Sequence, residues 1–177
     1  ITGDLFNRMN RKACKNAFLF VKRAVKIAPV YYIEGNHEAS LQETGERYIA
    51  EVGRLGAHIL RDAYTDLSEC RLIGLKQRAP AEMLRSMLKS DRFNLVLAHR
   101  PEQFPEYAET NADVILTGHA HGGQIRLFHR GIYASNQGFF PKFTDGWYEI
   151  GNSRMYVSRG LGNTVPVPRV FNTPELN

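Results

Sequence analysis

The stretch Leu116-Thr117-Gly118-His119-Ala120-His121 decides the fold of this chain, because a run of apolar residues ends there in two closely spaced histidines. The preceding residues 112–116 are apolar except for Asp113, which is typical of a buried strand. Gly118 allows a tight turn directly after that strand. The stretch therefore predicts a buried strand that brings two imidazole side chains to its carboxyl end.

Three other strand-like runs end in polar side chains of the same kind. They are Ile1-Thr2-Gly3-Asp4, Ile33-Glu34-Gly35-Asn36-His37-Glu38 and Leu97-Ala98-His99. In α/β folds, ligands bind beyond the carboxyl ends of the strands. We therefore expect the four strand ends to form one site.

Amphipathic helices alternate with strands over the first two thirds of the chain. Apolar residues at a period near 3.6 predict helices over residues 10–27, 44–55 and 81–89. Short apolar runs predict strands over residues 30–33 and 93–98. This alternation indicates an α/β layered fold. The last third changes to short strands separated by turns, which we place at residues 124–128, 147–150 and 155–158.

Length and composition indicate a single folded domain and exclude several other classes. The chain has 177 residues, of which 43% are hydrophobic and 23% charged, and it contains 10 Phe and 8 Tyr. Such a composition excludes intrinsically disordered and low-complexity chains. No apolar run reaches the roughly 20 residues that a membrane-spanning helix needs. Cys14 and Cys70 have no CxxC spacing, so neither a disulfide framework nor a thiolate zinc site is expected.

The side chains at the strand ends suit a dinuclear metal centre. Carboxylate, amide oxygen and imidazole are ligands for ions such as Mn, Fe, Zn or Mg. Asp4 could bridge two ions about 3.5–4 Å apart, as two-metal hydrolases require. An extended backbone would point His119 and His121 to one face, whereas a tight turn would send them to separate ions. Both arrangements are compatible with the sequence.

Taken in order, these motifs resemble those of the calcineurin-like metallophosphoesterases. That family carries D-x-H, then GD, then GNH followed by Asp or Glu, then a lone His, then G-H-x-H. This sequence contains the last four motifs in that order. The run from Gly118 to Gln124, together with residues 158–163, resembles the bacterial branch described as YkuE/YaeI-like.

The resemblance implies a fold and a reaction. The expected fold is a four-layer αββα sandwich with two mixed β-sheets, one of them antiparallel-rich and formed by the last third. The expected reaction is metal-dependent hydrolysis of a phosphoric ester, at a phosphodiester or pyrophosphate bond, by metal-bound hydroxide at a dinuclear centre. The cofactors would be two divalent ions, of Mn, Fe, Zn or Mg.

The resemblance also implies roles for individual residues. Asp4 would bridge both ions, and His121 would bind the first ion. The second ion would be bound by Asn36, His99 and His119. His37 would be the general acid that protonates the leaving alkoxide, or would contact the phosphoryl oxygens.

The sequence departs from the family pattern in one respect, since it contains no Asp-x-His. Without that motif, only Asp4 and His121 are assigned to the first ion. Because the family places D-x-H before GD, one expectation is that this motif precedes Ile1. Residues 1–177 would then be a single metallophosphoesterase domain that is N-terminally truncated and impaired as it stands. The alternative is a relative with a degenerate metal site.

Two other function classes remain open from the sequence. One is a non-catalytic interaction scaffold on the same fold, as in the retromer subunit of this superfamily. The other is a nucleic-acid-binding module, suggested only by the formal net charge of +5. The basic residues are scattered along the chain, so nucleic acid is the least favoured partner.

The expected partner is a phosphate-ester substrate, with a lipid-linked or nucleotide-linked group suggested by the resemblance. The expected location is cytoplasmic, with peripheral membrane association through a segment before Ile1 as the alternative. Phe139, Phe140 and Trp147 could line a lipid-facing surface, but core packing of a second sheet is the favoured interpretation.

Overall fold

The computed structural model describes residues 1–6, 11–163 and 168–177, so Asn10 of the first predicted helix lies outside the described residues. The helices are α1 (Arg11–Ala24), α2 (Asn36–Ser40), α3 (Glu43–Arg54), α4 (Ala81–Met87) and α5 (Phe104–Ala108). The first strands are β1 (Tyr31–Tyr32), β2 (His58–Ile59), β3 (Ala63–Asp66), β4 (Cys70–Gly74), β5 (Phe93–Leu97) and β6 (Val114–Thr117). The later strands are β7 (Arg126–Leu127), β8 (Arg130–Gly131), β9 (Tyr133–Ala134), β10 (Gly138–Phe139), β11 (Gly146–Ile150) and β12 (Ser153–Val157).

The helix α1 ends earlier than its apolar period predicts. The hydrogen bonds of the last turn tighten, since the amides of Lys26 and Ile27 donate to carbonyls three residues before them. Pro29 disfavours helical backbone at the residue before it, which explains why the helix stops short of that proline.

The largest sheet has six strands in the order β11-β12-β6-β5-β4-β3. The inner neighbours β4, β5, β6 and β12 run parallel, and the outer strands β3 and β11 pair antiparallel. The sheet is therefore mixed. The last-third strands β11 and β12 join it at one edge, whereas the sequence placed them in a separate antiparallel-rich sheet.

A smaller parallel sheet lies against the large one. β1 pairs with β2, and Thr2 makes an isolated parallel bridge to Ile33. Leu72 and Leu97 of the large sheet form a buried cluster with Ile33 and Leu60, so apolar side chains fill the space between the two sheets. This cluster is the contact between the two β-layers.

Helices cover the outer face of each sheet. Ile73, Val96 and Ile115 point to the opposite face from the shared cluster and pack with buried residues of α4 and α5. On the other side, Tyr32 packs with α1 and α3. The alternation of neighbouring residues between clusters follows from the two-residue period of a strand. The layers run helix, sheet, sheet, helix, which confirms the predicted αββα sandwich.

The region from β7 to β10 consists of short hairpins. The strand predicted over residues 124–128 shortens to β7, which pairs with β8. Phe139, Phe140 and Trp147 are all exposed. The prediction that they pack in a core is wrong, because within the described residues no second sheet covers this face. No helix of the described residues is both long and apolar enough to cross a bilayer.

Candidate metal centre

Asp4 lies at the centre of the site, in the turn after Thr2. Its main chain has a φ of 53°, in the left-handed region, and its side chain is 10% exposed. Oδ1 accepts the backbone N–H of His37 at 2.9 Å. Oδ2 lies 3.3 Å from Nε2 of His99 and 3.9 Å from Nδ1 of His119. The carboxylate therefore faces the ends of three other chain segments.

Two glycines allow the segments to come this close. A Cβ on Gly3 would lie 2.6 Å from the Cα of Gly35, and a Cβ on Gly35 would lie 2.2 Å from Oδ1 of Asp4. Real Cβ atoms do not tolerate such distances, so only glycine fits both positions. The glycines before the polar residues thus permit the close approach of two strand ends.

His99 follows β5 and is almost fully buried. Its Nδ1 lies 2.7 Å from the carbonyl oxygen of Thr2, and a carbonyl can only accept, so Nδ1 carries the hydrogen. Nε2 then faces Oδ1 of Asn36 at 3.0 Å and Oδ2 of Asp4 at 3.3 Å. Burial alone would lower the pKa of His99, but the contact with Asp4 raises it, so the environment of Nε2 favours a positive charge there. A metal ion at this point would take the place of the Nε2 proton.

Asn36 and His37 form the first turn of α2. His37 places Nε2 3.9 Å from Oδ2 of Asp4 and keeps its side chain 24% exposed. It is therefore accessible from solvent while it lies against the buried carboxylate. Asn36 points into the site and His37 points to its rim.

His119 follows β6 and is buried. Its Nδ1 has no hydrogen-bond partner among the described residues, although the atom is shielded from solvent. Nε2 lies 2.8 Å from the side-chain amide of Asn136. Nη1 of Arg100 lies 3.5 Å from the same nitrogen and can only donate, so Nε2 accepts as placed. An ion at Nδ1 would need the proton on Nε2, with the two ends of the Asn136 amide exchanged and the long contact to Arg100 lost.

The segment from His119 to His121 is a tight turn. His119 has a φ of 66° and His121 a φ of 47°, so neither residue is extended. Of the two arrangements that the sequence allowed, the structure shows the turn. His121 is outside the group formed by Asp4, His99 and His119, whose ligand atoms lie within 4.8 Å of one another.

His121 contacts a different part of the chain. Its Nδ1 lies 3.3 Å from Nη2 of Arg169, and its carbonyl accepts the side-chain amide of Asn172 at 2.7 Å. Burial and the positive charge of Arg169 lower the pKa of His121 to about 4. Sequence reasoning did not identify Arg169, because nothing in its local pattern links residue 169 to the histidines.

Glu38 holds the Asp4 turn in place. Its carboxylate is buried and accepts the backbone N–H groups of Asp4 at 3.0 Å, Phe6 at 2.9 Å and Gly35 at 2.8 Å. Burial and the nearby charge of Asp4 raise the pKa of Glu38. Glu38 is the acidic residue that follows Gly35-Asn36-His37, but nothing in the sequence indicates that it stabilises the turn.

The electrostatics of the group favour an ionised Asp4. Burial alone would raise its pKa, but the imidazoles of His119, His99 and His37 outweigh burial and hold the pKa well below the usual range. Burial lowers the pKa of His119 despite the contact with Asp4. A negative carboxylate beside a neutral imidazole is the donor set that divalent cations prefer.

These residues fit a divalent metal ion. One ligand atom each from Asp4, His99 and His119 lies within 4.8 Å of the others. A cation between Nε2 of His99, Oδ1 of Asn36 and Oδ2 of Asp4 would replace the His99 proton, and it would give Nδ1 of His119 the partner that it lacks among the described residues. Asn36 supplies a further oxygen at the same point.

Comparison with known proteins gives consistent matches. Residues 1–123 match the family described as calcineurin-like phosphoesterase. The uncharacterized metallophosphoesterase YkuE of Bacillus subtilis is 37% identical over 89 residues, which are 49% of this chain and 30% of YkuE. The uncharacterized metallophosphoesterase Cj0846 of Campylobacter jejuni is 28% identical over 188 residues, covering 99% of this chain and 48% of Cj0846. The chain thus spans less than half the length of either relative, and no solved structure shows significant similarity to it.

Proposed function

The chain belongs to the calcineurin-like phosphoesterase family, and on that premise we propose that it hydrolyses a phosphoric ester, at a phosphodiester or pyrophosphate bond. The observation that carries the proposal is the convergence of Asp4, His99 and His119 on one point, with Asn36 beside them. Such a cluster of oxygen and imidazole ligands, with the partly exposed His37 at its rim, suits cleavage of a phosphate ester.

We propose that the site takes two divalent ions, of Mn, Fe, Zn or Mg. Asn36, His99 and His119 would bind one ion, and Asp4 would be shared between both. His121 would bind the other ion after its imidazole turns from Arg169 toward Asp4. At 3.3 Å the contact from Nη2 of Arg169 to Nδ1 of His121 is longer than an ordinary N–H hydrogen bond, and the ion would have to displace it.

When bound, the ions would offset the charge that develops on the phosphoryl oxygens and would acidify an attacking water. The chain itself would orient the phosphate and move the proton. His37 lies at the rim of the site, where its imidazole can reach the leaving oxygen, and Asp4 would orient that ring. His37 would donate its proton to the leaving alkoxide and so prevent the reverse reaction.

Hydrolysis of bis-p-nitrophenyl phosphate with added Mn²⁺ tests these roles. His37→Ala is expected to lower kcat about 10²–10⁴-fold while the bound metal stays unchanged, since a general acid contributes about that factor. Asp4→Asn should lower both activity and metal content. His129→Ala, which changes an exposed histidine outside the site, is the control and should match the wild type. Full activity in His37→Ala would contradict the role of His37 as the general acid.

A non-catalytic scaffold with a degenerate metal site is the second candidate. It is favoured by one observation, the position of His121 against the cation Arg169 and outside the three-residue group. Elemental analysis of the purified chain separates the two functions. About two ions per chain would support the hydrolase, whereas a chain without bound metal after incubation with excess Mn²⁺ would support the scaffold.

A further inference from the structure

The last third of the chain exposes a group of large apolar side chains that the phosphoesterase site does not use. The exposed fraction runs from 60% for Trp147 to 88% for Phe128. We call this group the aromatic surface, and its members are Phe128, Phe139, Phe140, Trp147 and Phe171. Exposed apolar side chains are normal when they are scattered, but a contiguous group marks an interaction site.

Four members of the aromatic surface line two neighbouring cavities, and Phe139 precedes one of them, Phe140, in the chain. One cavity of about 370 Å³ is lined by Phe128 and Phe171 together with Arg126. A second cavity of about 660 Å³ is lined by Phe140 and Trp147, and Arg126 lines that one as well. The shared arginine joins the two cavities into one face of the molecule.

Three of these phenylalanines are held in a strained backbone conformation. Phe128 has a φ of 47°, and Phe140 and Phe171 each have a φ of 52°. A bulky residue in the left-handed region is strained, whereas glycine adopts that region freely. Each phenylalanine thus sits at a turn with an unfavourable backbone and an exposed ring, so neither local structure nor core packing explains its presence.

The aromatic surface is also positively charged. Arg130 and Lys142 line the larger cavity and Arg159 lines the smaller one. Residues 124–177 contain six Lys and Arg against three Asp and Glu, which is an excess of three positive charges. All three acidic residues are paired, since Asp145 bonds Arg126, Glu149 contacts Arg154 and Glu175 contacts Arg159. The excess positive charge therefore comes from Arg130, Lys142 and Arg169. The ligand of this face is therefore apolar and anionic at once.

We infer that the aromatic surface docks the protein on an anionic lipid bilayer. Phenylalanine and tryptophan rings at separate turns can enter the boundary between head groups and acyl chains, while the surrounding cations meet lipid phosphates. A bilayer accepts several separate tips at once, whereas a protein groove would have to match each of them in shape. The inference goes beyond the proposed hydrolysis and does not depend on it.

Docking would bring the metal centre to the bilayer surface. Phe171 precedes Asn172, whose side chain donates to the carbonyl of His121. The side chain of Arg159, which lines the smaller cavity, lies against Gly122. The smaller cavity is therefore next to the histidine turn, and a phosphate ester held in the bilayer would reach the site from this side.

Vesicle co-sedimentation in the presence of a chelator tests the inference without metal or activity. The probe is a vesicle of equal parts phosphatidylglycerol and phosphatidylcholine, compared with pure phosphatidylcholine. The wild-type chain should pellet with the anionic vesicles and should be released by salt. Each of Phe128→Ser, Phe140→Ser and Phe171→Ser should weaken binding about tenfold, because each removes a ring from the lipid phase.

Two further variants separate apolar insertion from general effects. Ile27→Ser removes a side chain that is 86% exposed and lies just after α1, and it should bind as the wild type does. Arg130→Gln combined with Lys142→Gln should weaken binding to anionic vesicles about 25-fold, since each cation near an anionic surface contributes about a factor of five. Binding to pure phosphatidylcholine should change little.

Three outcomes would overturn the inference. The first is a wild-type chain that stays in the supernatant with the anionic vesicles. The second is a triple variant, combining Phe128→Ser, Phe140→Ser and Phe171→Ser, that binds as tightly as the wild type. The third is a wild-type dimer in sedimentation velocity that dissociates in the triple variant without any vesicle binding, since the surface would then join two copies of the chain.

Discussion

The substitution Gly35→Ala is expected to damage the metal centre although it replaces none of the proposed ligands. Gly35 has a φ of −105° and a ψ of −173°, which alanine adopts without strain. The added Cβ, however, would lie 2.2 Å from Oδ1 of Asp4, 2.4 Å from its backbone nitrogen and 2.8 Å from Cε1 of His99. Either the Asp4 turn or the start of α2 has to move.

The size of the effect follows from these contacts. Overpacking a closely packed position costs about 1–3 kcal/mol. Displacing Asp4 also breaks the bond from the His37 amide to Oδ1, and a hydrogen bond to a charged group contributes about 1.5–3 kcal/mol. We expect the free energy of unfolding to fall by about 3 kcal/mol, because part of the strain is relieved by that displacement. The affinity for Mn²⁺ should fall about 10–100-fold, as for loss of a group that orients a ligand.

Urea unfolding of the chelated chain and calorimetric titration with Mn²⁺ measure the two quantities. Gly53→Ala is the matched control, because a Cβ there would meet only Cγ1 of Ile59 at an ordinary 3.5 Å. Since Gly53 lies within α3, alanine should stabilise the fold by about 0.5–1 kcal/mol and leave metal affinity unchanged. If Gly35→Ala behaved like Gly53→Ala in both measurements, the close packing of the strand ends around Asp4 would be refuted.

Four further predictions concern other contacts. Asn94→Ala should lower the free energy of unfolding in urea by about 2–3 kcal/mol, because its buried side-chain amide bonds three main-chain groups of the turn before β5. Glu46→Gln should lower the free energy of unfolding by at most about 1 kcal/mol at neutral pH, since the ion pair with Arg61 is exposed. Because that pair lowers the pKa of Glu46, the difference between the two proteins should vanish as the pH falls through that pKa. Arg169→Met should raise the pKa of His121 from about 4, while burial keeps it below the usual value, as histidine NMR titration of the chelated chain would show. Adding Mn²⁺ at 100 times its dissociation constant should stabilise the wild type by about 2.7 kcal/mol in thermal unfolding and leave Asp4→Asn unaffected.

The layered architecture was predictable because strand periodicity is local. Runs such as residues 93–98 alternate between two buried faces, and a strand covered on both faces has few alternatives in an α/β fold. The same logic placed Asp4, Asn36 and His99 at one edge. Each of these residues directly follows an apolar run in the chain, so the sequence alone was sufficient to predict that they lie at the same edge.

Other parts of the site depend on tertiary structure that the sequence does not encode locally. Whether His119 and His121 point to one face depends on the left-handed backbone conformation of these two histidines. Because neither residue is glycine, the sequence does not indicate that conformation. Glu38 binds the amides of Asp4 and Phe6, which lie 34 and 32 positions away in sequence, and the amide of Gly35, which lies three positions away. Only the folded chain brings the first two amides to Glu38. Arg169 reaches His121 across 48 positions of sequence.

The aromatic residues of the last third show the limit of hydrophobicity as a guide to burial. Phe139 and Phe140 are as apolar as the core residues Phe104 and Phe143, yet only the latter pair is buried. The difference is that Phe104 lies on the helix that covers the large sheet, whereas Phe140 follows a two-stranded hairpin that nothing described covers. Composition cannot reveal which face of a hairpin is left open.

Calorimetric titration of the chelator-treated chain with Mn²⁺ tests the central claim most directly, because it asks whether Asp4, His99 and His119 together bind a divalent ion. The wild type should bind Mn²⁺, and His119→Ala should bind it at least about 100-fold more weakly with unchanged circular dichroism. His58→Ala, which changes an exposed histidine of β2, should bind as the wild type does. Equal affinity in the wild type and in His119→Ala would contradict the assignment of this group as a metal centre.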